Sequence, residues 1–329
     1  MAFDRKRVDG RYRAMGDMLH FIMPHYTKTK MKIVNTFSKV LFQGRKPLDV
    51  KIQYAQEMIK REDGTNLRMC IYSHKQKTAK PQVAVLWLHG GGYAMSEPEQ
   101  DYRFFKNFVK KYNAVVFAPD YTKSVEKPFP AAFNDAKLAL EYVKANSEKF
   151  NLISNNVFVG GDSAGGGLAF ALALYARDVK DDSISFVMSI YPMISHKYTQ
   201  TSKDNKMPIW NTKSNENAWE LYIGGFDQKN PMFKYASPAV EKDFSNLPPV
   251  LTYIGTEDPF YAETVQLIGN LKSAGVKVDF KIFEGCFHGF DIACPLAAKS
   301  REARKFLIDG FDFAIKNYIK KDLKTNEEN

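Results

Sequence analysis

From residue 83 onward the chain alternates short apolar runs with stretches of helical period, and this alternation constrains the fold more than any other feature. The runs at 83–88, 114–118, 157–160, 184–190, 250–255 and 276–283 have strand length and are rich in β-branched and aromatic residues. Residues 102–112, 131–148, 164–177 and 262–274 carry apolar side chains at three-to-four spacing, and 297–318 ends the series in the same way. Strands separated by helices of this size are joined by crossovers. The expected class is therefore α/β, with a mostly parallel central sheet and helices on both faces. At 329 residues the chain suits one large domain of this kind with a subdomain.

Two regions fall outside the alternation. Residues 11–42 mix Met, Leu, Phe, Ile and Val with Lys and Arg at roughly helical spacing, broken at Pro24, and read as one or two amphipathic helices. Between Ile190 and Leu247 lie more than fifty residues without a core strand, holding Trp210, Trp219, Tyr222 and Phe226 among many Lys, Asn and Ser. A loop of that length is uncommon in a compact domain, so an inserted helical element is expected. The two regions together would form a lid over the C-terminal ends of the strands, where open α/β sheets bind ligands. This gives an N-terminal cap segment at 1–48, a core at 49–192 and 236–329, and an inserted cap segment at 193–235. Within the core, residues 50–73 alternate about Glu62-Asp63-Gly64 and predict a β-hairpin.

Composition narrows the function classes. The net charge is +10, and residues 1–50 hold 11 basic against 4 acidic side chains. Such asymmetry serves nucleic acids or anionic membranes, but no nucleic-acid motif accompanies it, so a solvated basic face is expected and no nucleic-acid partner. The longest apolar run, at 83–88, falls far short of the roughly 20 residues of a membrane helix. The N-terminus lacks an uninterrupted apolar core and a cleavage site, so no secretory signal is expected; its basic, Met- and Phe-containing helices are read as a cap packed on their own domain in preference to the other reading, a lipase associated with anionic membrane. Cys70, Cys286 and Cys294 are odd in number and lack metal-ligand spacing, as for reduced thiols of a cytoplasmic protein without a metal site.

Gly161-Asp162-Ser163-Ala164-Gly165 carries the chemistry. A bare G-x-S-x-G arises by chance about 0.1 times in a chain this long, but here it joins a predicted strand to a predicted helix. A serine on so tight a turn is forced outward as a nucleophile. Asp162 would brace the turn. His89-Gly90-Gly91-Gly92 after the first buried strand can supply backbone N–H donors for an oxyanion, each worth roughly 3 kcal/mol. Gly91, Gly92 and Ala164 are the expected donors. With a serine on such a turn, the chain order is serine, acid, histidine. His288, in the loop after the last strand, is the expected base, leaving His20, His25, His74 and His196 as surface or core residues. The acid follows strand 250–255, where Asp258 before Pro259 is favoured over Glu257, expected to be solvated.

In these motifs the chain resembles the bacterial hormone-sensitive-lipase-like esterases of the α/β-hydrolase superfamily. The resemblance covers about residues 82 to 292, through His-Gly-Gly-Gly-Tyr at 89–93, Phe129-Pro130-Ala131-Ala132, Gly161-Asp162-Ser163-Ala164-Gly165-Gly166, Ser237-Pro238, Leu247-Pro248-Pro249, Asp258-Pro259 and His288-Gly289-Phe290. It implies the α/β-hydrolase fold with a helical cap and a carboxylic-ester hydrolase using Ser163, His288 and Asp258. Such an enzyme works without a cofactor on small short-chain acyl esters. Tyr93, Trp210, Trp219 and Tyr222 are candidates for substrate contact, and a homodimer is compatible with all of this. The chain departs from the family at Thr122-Lys123-Ser124-Val125-Glu126, and at Ala262, where a second acidic residue is usual. Other readings are an amidase on small substrates, a lipase, and a ligand-binding relative; the last lacks the catalytic histidine, which His288 supplies here.

Overall fold

Eight strands form one sheet in the computed structural model, which describes residues 3–76 and 78–320. They are β1 Ile52–Lys60, β2 Asn66–His74, β3 Gln82–Leu88, β4 Val115–Pro119, β5 Leu152–Asp162, β6 Ile184–Ile190, β7 Val250–Gly255 and β8 Val278–Phe283, in the order β1-β2-β4-β3-β5-β6-β7-β8. The hairpin β1–β2 joins antiparallel to β4, and every pairing from β4 through β8 is parallel. The α/β class with a mostly parallel sheet is as expected. Strands β4, β6 and β7 are buried along their whole length, which explains apolar runs without alternation.

The helices are α1 Gly10–Ile22, α2 Lys28–Phe42, α3 Tyr102–Tyr112, α4 Ala131–Ala145, α5 Ala164–Asp178, α6 Thr212–Ile223, α7 Phe233–Ala236, α8 Tyr261–Ser273, α9 Phe290–Ala293 and α10 Ala298–Asn317. α3 meets α10 through stacked Phe108 and Phe311, 4.1 Å apart, and α4 packs on α5. α5 buries nearly every side chain because its Ala- and Gly-rich surface lets it lie close against β5 and β6.

The insert is less helical than expected. Only α6 and the single turn α7 are α-helical between Ile190 and Leu247, and residues 191–211 are irregular. Side chains hold that segment instead. Glu263 Oε1 on α8 accepts from the N–H groups of Ile194 (2.9 Å) and Ser195 (3.1 Å), and Thr201 Oγ1 donates to Pro259 O at 2.9 Å. The insert and the N-terminal helices are tied together: Asn211 Nδ2 donates to Pro24 O (2.6 Å), Tyr26 N–H to Ser214 Oγ (3.0 Å) and Asn217 Nδ2 to Tyr26 O (2.7 Å). Among the described residues no helix is long and apolar enough to cross a membrane.

Candidate active site

β5 ends at Asp162 and α5 begins at Ala164, so Ser163 alone makes the reversal, at φ 54° and ψ −120°. A residue with a side chain holds such a conformation only where its surroundings over-determine it. Here Ser163 N–H donates to Ile190 O (2.9 Å), and its carbonyl accepts from Gly167 (3.0 Å) and Met193 (3.0 Å). The turn also needs its glycines. A Cβ on Gly165 would lie 1.9 Å from Leu88 O, and one on Gly161 would lie 2.4 Å from the same oxygen.

The turn aims Ser163 at His288. Ser163 Oγ lies 2.9 Å from His288 Nε2, and His288 Nδ1 lies 2.7 Å from Asp258 Oδ2. A carboxylate can only accept, so Nδ1 carries the proton and Nε2 is left to accept from the serine O–H. Asp258 is held by Phe260 N–H, which donates to Oδ1 at 2.9 Å. All three side chains are buried, and the His288 ring is flanked edge-on by Tyr191 and Phe260.

Glu257 is not solvated as the sequence suggested. It is buried, its Oε2 lies 2.8 Å from Arg7 Nε, and burial pushes its carboxyl pKa up. His20, His25 and His74 are partly buried, and His196 Nδ1 bonds Ser237 Oγ at 2.8 Å, away from Ser163.

The glycine loop lies against this trio. Gly91 and Gly92 take φ of 110° and 62°, and the turn closes where Ala94 and Met95 N–H donate to Gly91 O at 3.1 and 2.9 Å. Gly91 and Gly92 line one cavity with Ser163 and His288, while Ala164 follows the serine as the first residue of α5. Beneath the loop, His89 stacks on Tyr121 with centroids 4.1 Å apart, and Tyr121 O–H donates to His89 O at 2.7 Å. Burial pushes the His89 pKa down to about 3, so the ring is neutral at ordinary pH.

Asp162 braces the turn, as expected, through a partner that no motif announced. Its carboxyl hydrogen-bonds Asp101, which also accepts from Trp87 Nε1 at 3.0 Å and from Gly90 N–H. Burial, and then the neighbouring Asp101 carboxylate, push the Asp162 pKa well above the usual carboxylate range.

The cavity is about 240 Å³, and of the four aromatic candidates Trp210 lines it. Its ring covers Gly92, where a Cβ would meet it at 2.3 Å. Tyr93, Trp219 and Tyr222 are not among the cavity's lining residues and pack on one another. Tyr93 and Tyr222 stack at 3.7 Å, Trp219 packs on both, and Tyr93 O–H donates to Met193 O at 2.6 Å, which anchors the cap to the glycine loop. Tyr26, Val34, Arg103 and Ile209 line the cavity without any sequence signal, because they reach it through tertiary packing. Position 262, where the resemblance leads one to look for a second acidic residue, is Ala, and the neighbouring Glu263 is buried.

The chain matches the α/β-hydrolase-fold family over residues 85–292, more than half of its length. It belongs to the α/β-hydrolase family. This α/β hydrolase is 30% identical over 216 residues to an α/β hydrolase of Acanthamoeba polyphaga mimivirus, covering 64% of this chain and 62% of that one. Over 208 residues it is 28% identical to esterase LipI of Mycobacterium tuberculosis (strain ATCC 25618 / H37Rv), covering 63% of this chain and 65% of the relative. Each match thus takes in less than two thirds of the relative's length. A bacterial heroin esterase structure superposes with a TM-score of 0.84 at 25% identity, covering 96% of this α/β hydrolase and 99% of that chain. These relatives bear out the resemblance to hormone-sensitive-lipase-like esterases.

Proposed function

We propose that this α/β hydrolase is a serine carboxylesterase for short-chain acyl esters, with Ser163 as nucleophile, His288 as base and Asp258 as orienting acid. The observation that carries this is the relay of 2.9 and 2.7 Å from Ser163 through His288 to Asp258, opening on a cavity that Gly91 and Gly92 also line. Nε2 of His288 takes the serine proton as Oγ attacks the ester carbonyl. The N–H groups of Gly91, Gly92 and Ala164 receive the oxyanion. The imidazolium, held by Asp258, returns the proton to the departing alcohol. Water then attacks the acyl-enzyme by the same route and releases the acid. Residues 1–48 and 193–235 serve as the cap, with 49–192 and 236–329 as the catalytic core.

The cavity of about 240 Å³ supports short acyl groups, since pockets for drug-sized ligands run from roughly 300 to 1,000 Å³. Hydrolysis of p-nitrophenyl esters from acetate to palmitate, by wild type and Ser163→Ala, tests the reading. Activity should peak at about two to six acyl carbons and vanish in Ser163→Ala with the circular dichroism spectrum unchanged. Activity surviving that substitution would overturn the nucleophile, and a peak at long chains would overturn the substrate class.

A further inference from the structure

Helix α2 is amphipathic the wrong way round for a helix that only packs on its own domain. The stripe Met31, Asn35 and Ser38, at i, i+4 and i+7, faces inward and is two-thirds polar. The stripe Ile33, Phe37, Val40 and Leu41, at i, i+4, i+7 and i+8, faces solvent, with Phe37 64% and Val40 76% exposed. A helix whose business is burial against the core shows the opposite arrangement. The end of α1 adds Phe21, 88% exposed, and Ile22, and the segment after α2 adds the fully exposed Leu48. Helix α2 itself carries Lys28, Lys30, Lys32 and Lys39 and no acidic residue, with Glu126 3.9 Å from Lys39.

We propose that this face docks on a bilayer carrying anionic phospholipid. The apolar stripe enters the interface and the lysines meet lipid phosphates, the pairing that holds an interfacial amphipathic helix in the plane of a membrane. Charge decides between this partner and a second copy of the chain. Apposing two such faces would bring together two N-terminal segments of net +7 each, whereas an anionic surface offsets that charge. Val34 lines the catalytic cavity and lies one turn from Phe37 on the flank of the same stripe, and Tyr26, between α1 and α2, lines it too. Docking thus sets the cavity beside the membrane surface, and the docking itself is independent of the chemistry at Ser163.

Flotation of the full chain with vesicles of phosphatidylcholine, alone or with about 30 mol% phosphatidylserine, tests the inference, with sedimentation velocity for the oligomeric state. Wild type should float with the anionic vesicles and not the neutral ones. Phe37→Ser combined with Val40→Ser should lower partitioning at least about tenfold. Lys28→Gln combined with Lys32→Gln should lower it about 30-fold. All four positions are exposed and none lines the catalytic cavity, so both variants should keep wild-type turnover of a soluble short-chain ester. Equal flotation with neutral vesicles would overturn the lipid class. Absence of flotation would overturn the proposal, and a wild-type dimer that Phe37→Ser with Val40→Ser makes monomeric would assign the face to self-association.

Discussion

Ser163 holds a backbone conformation that costs about 1–3 kcal/mol for a residue with a side chain, and the contacts that keep it there are backbone against backbone. Gly165 has the least room: its would-be Cβ meets Leu88 O at 1.9 Å, and a strand carbonyl cannot swing aside. Gly165→Ala should therefore cost about 3 kcal/mol or more in chemical denaturation, while Ser163→Ala should leave stability within about 1 kcal/mol or raise it. The acid is decided by its neighbours in the same way. Asp258 accepts the hydrogen bond from His288 Nδ1–H, whereas Glu257, one residue earlier, lies against Arg7. Asp258→Asn would present an amide that can favour the wrong imidazole tautomer, and kcat should fall about 10⁴-fold with the fold intact. Glu257→Gln should leave kcat near wild type; steady-state kinetics of the pair would expose an exchange of roles if the losses were reversed.

Between elements, the junction most open to test is the one between α2 and the glycine loop. Asn35 Nδ2 donates to Ala94 O at 2.9 Å, and Ser96 N–H donates to Asn35 Oδ1 at 3.2 Å, so one buried amide clamps the far side of the turn that carries Gly91 and Gly92. Asn35→Ala strands both backbone groups, at a cost of about 1–3 kcal/mol. Because the loop rather than the serine is loosened, kcat should drop while active-site labelling of Ser163 by a small phosphonate still goes to completion; unchanged kcat would show the clamp to be dispensable for the loop. This clamp was invisible in the sequence, where Asn35 is one polar residue in a basic helix. The strands were legible because burial on both faces leaves unbroken apolar runs, and the trio was legible because a strained serine turn admits few residue types. Residues 191–211 were not, since side-chain hydrogen bonds from Glu263 and Thr201 hold them without periodicity. The packing of Tyr93, Trp219 and Tyr222 on one another was hidden for a related reason: an aromatic in a cap reads the same whether it faces ligand or neighbouring rings.

Across the whole molecule, one buried charge cluster joins parts that the sequence keeps far apart. Arg68 of β2 pairs with Glu97, Glu99 and Asp120 at 3.0, 2.5 and 3.1 Å, and Lys123 pairs with Asp120 at 2.5 Å and Glu97 at 3.6 Å. Glu99 also accepts from Gly44 N–H at 2.7 Å and Tyr54 O–H at 2.9 Å, so the segment after α2, the hairpin and the parallel sheet meet here. Lys123 belongs to the stretch Thr122-Lys123-Ser124-Val125-Glu126, and this cluster is what it builds. Three carboxylates face two cations, and Glu97 bears the excess: burial, only partly offset by Lys123 and Arg68, pushes its pKa up to about 7 from an ordinary 4.5. Asp120 goes the other way, to about 2, because Lys123 and Arg68 outweigh its burial, so it stays ionised throughout the range in which Glu97 titrates. A carboxyl whose folded pKa is raised contributes stability in full below its unfolded pKa and loses it as pH rises through the folded value. For Glu97 that window runs from about 4.5 to about 7. Glu97→Gln imitates the protonated side chain at every pH. Thermal unfolding of the two proteins at pH 5 and pH 8 should therefore show the variant gaining on wild type as pH rises. A difference that stays constant, or moves against the variant, would mean that Glu97 is ionised across the range and that the cluster tolerates its full charge.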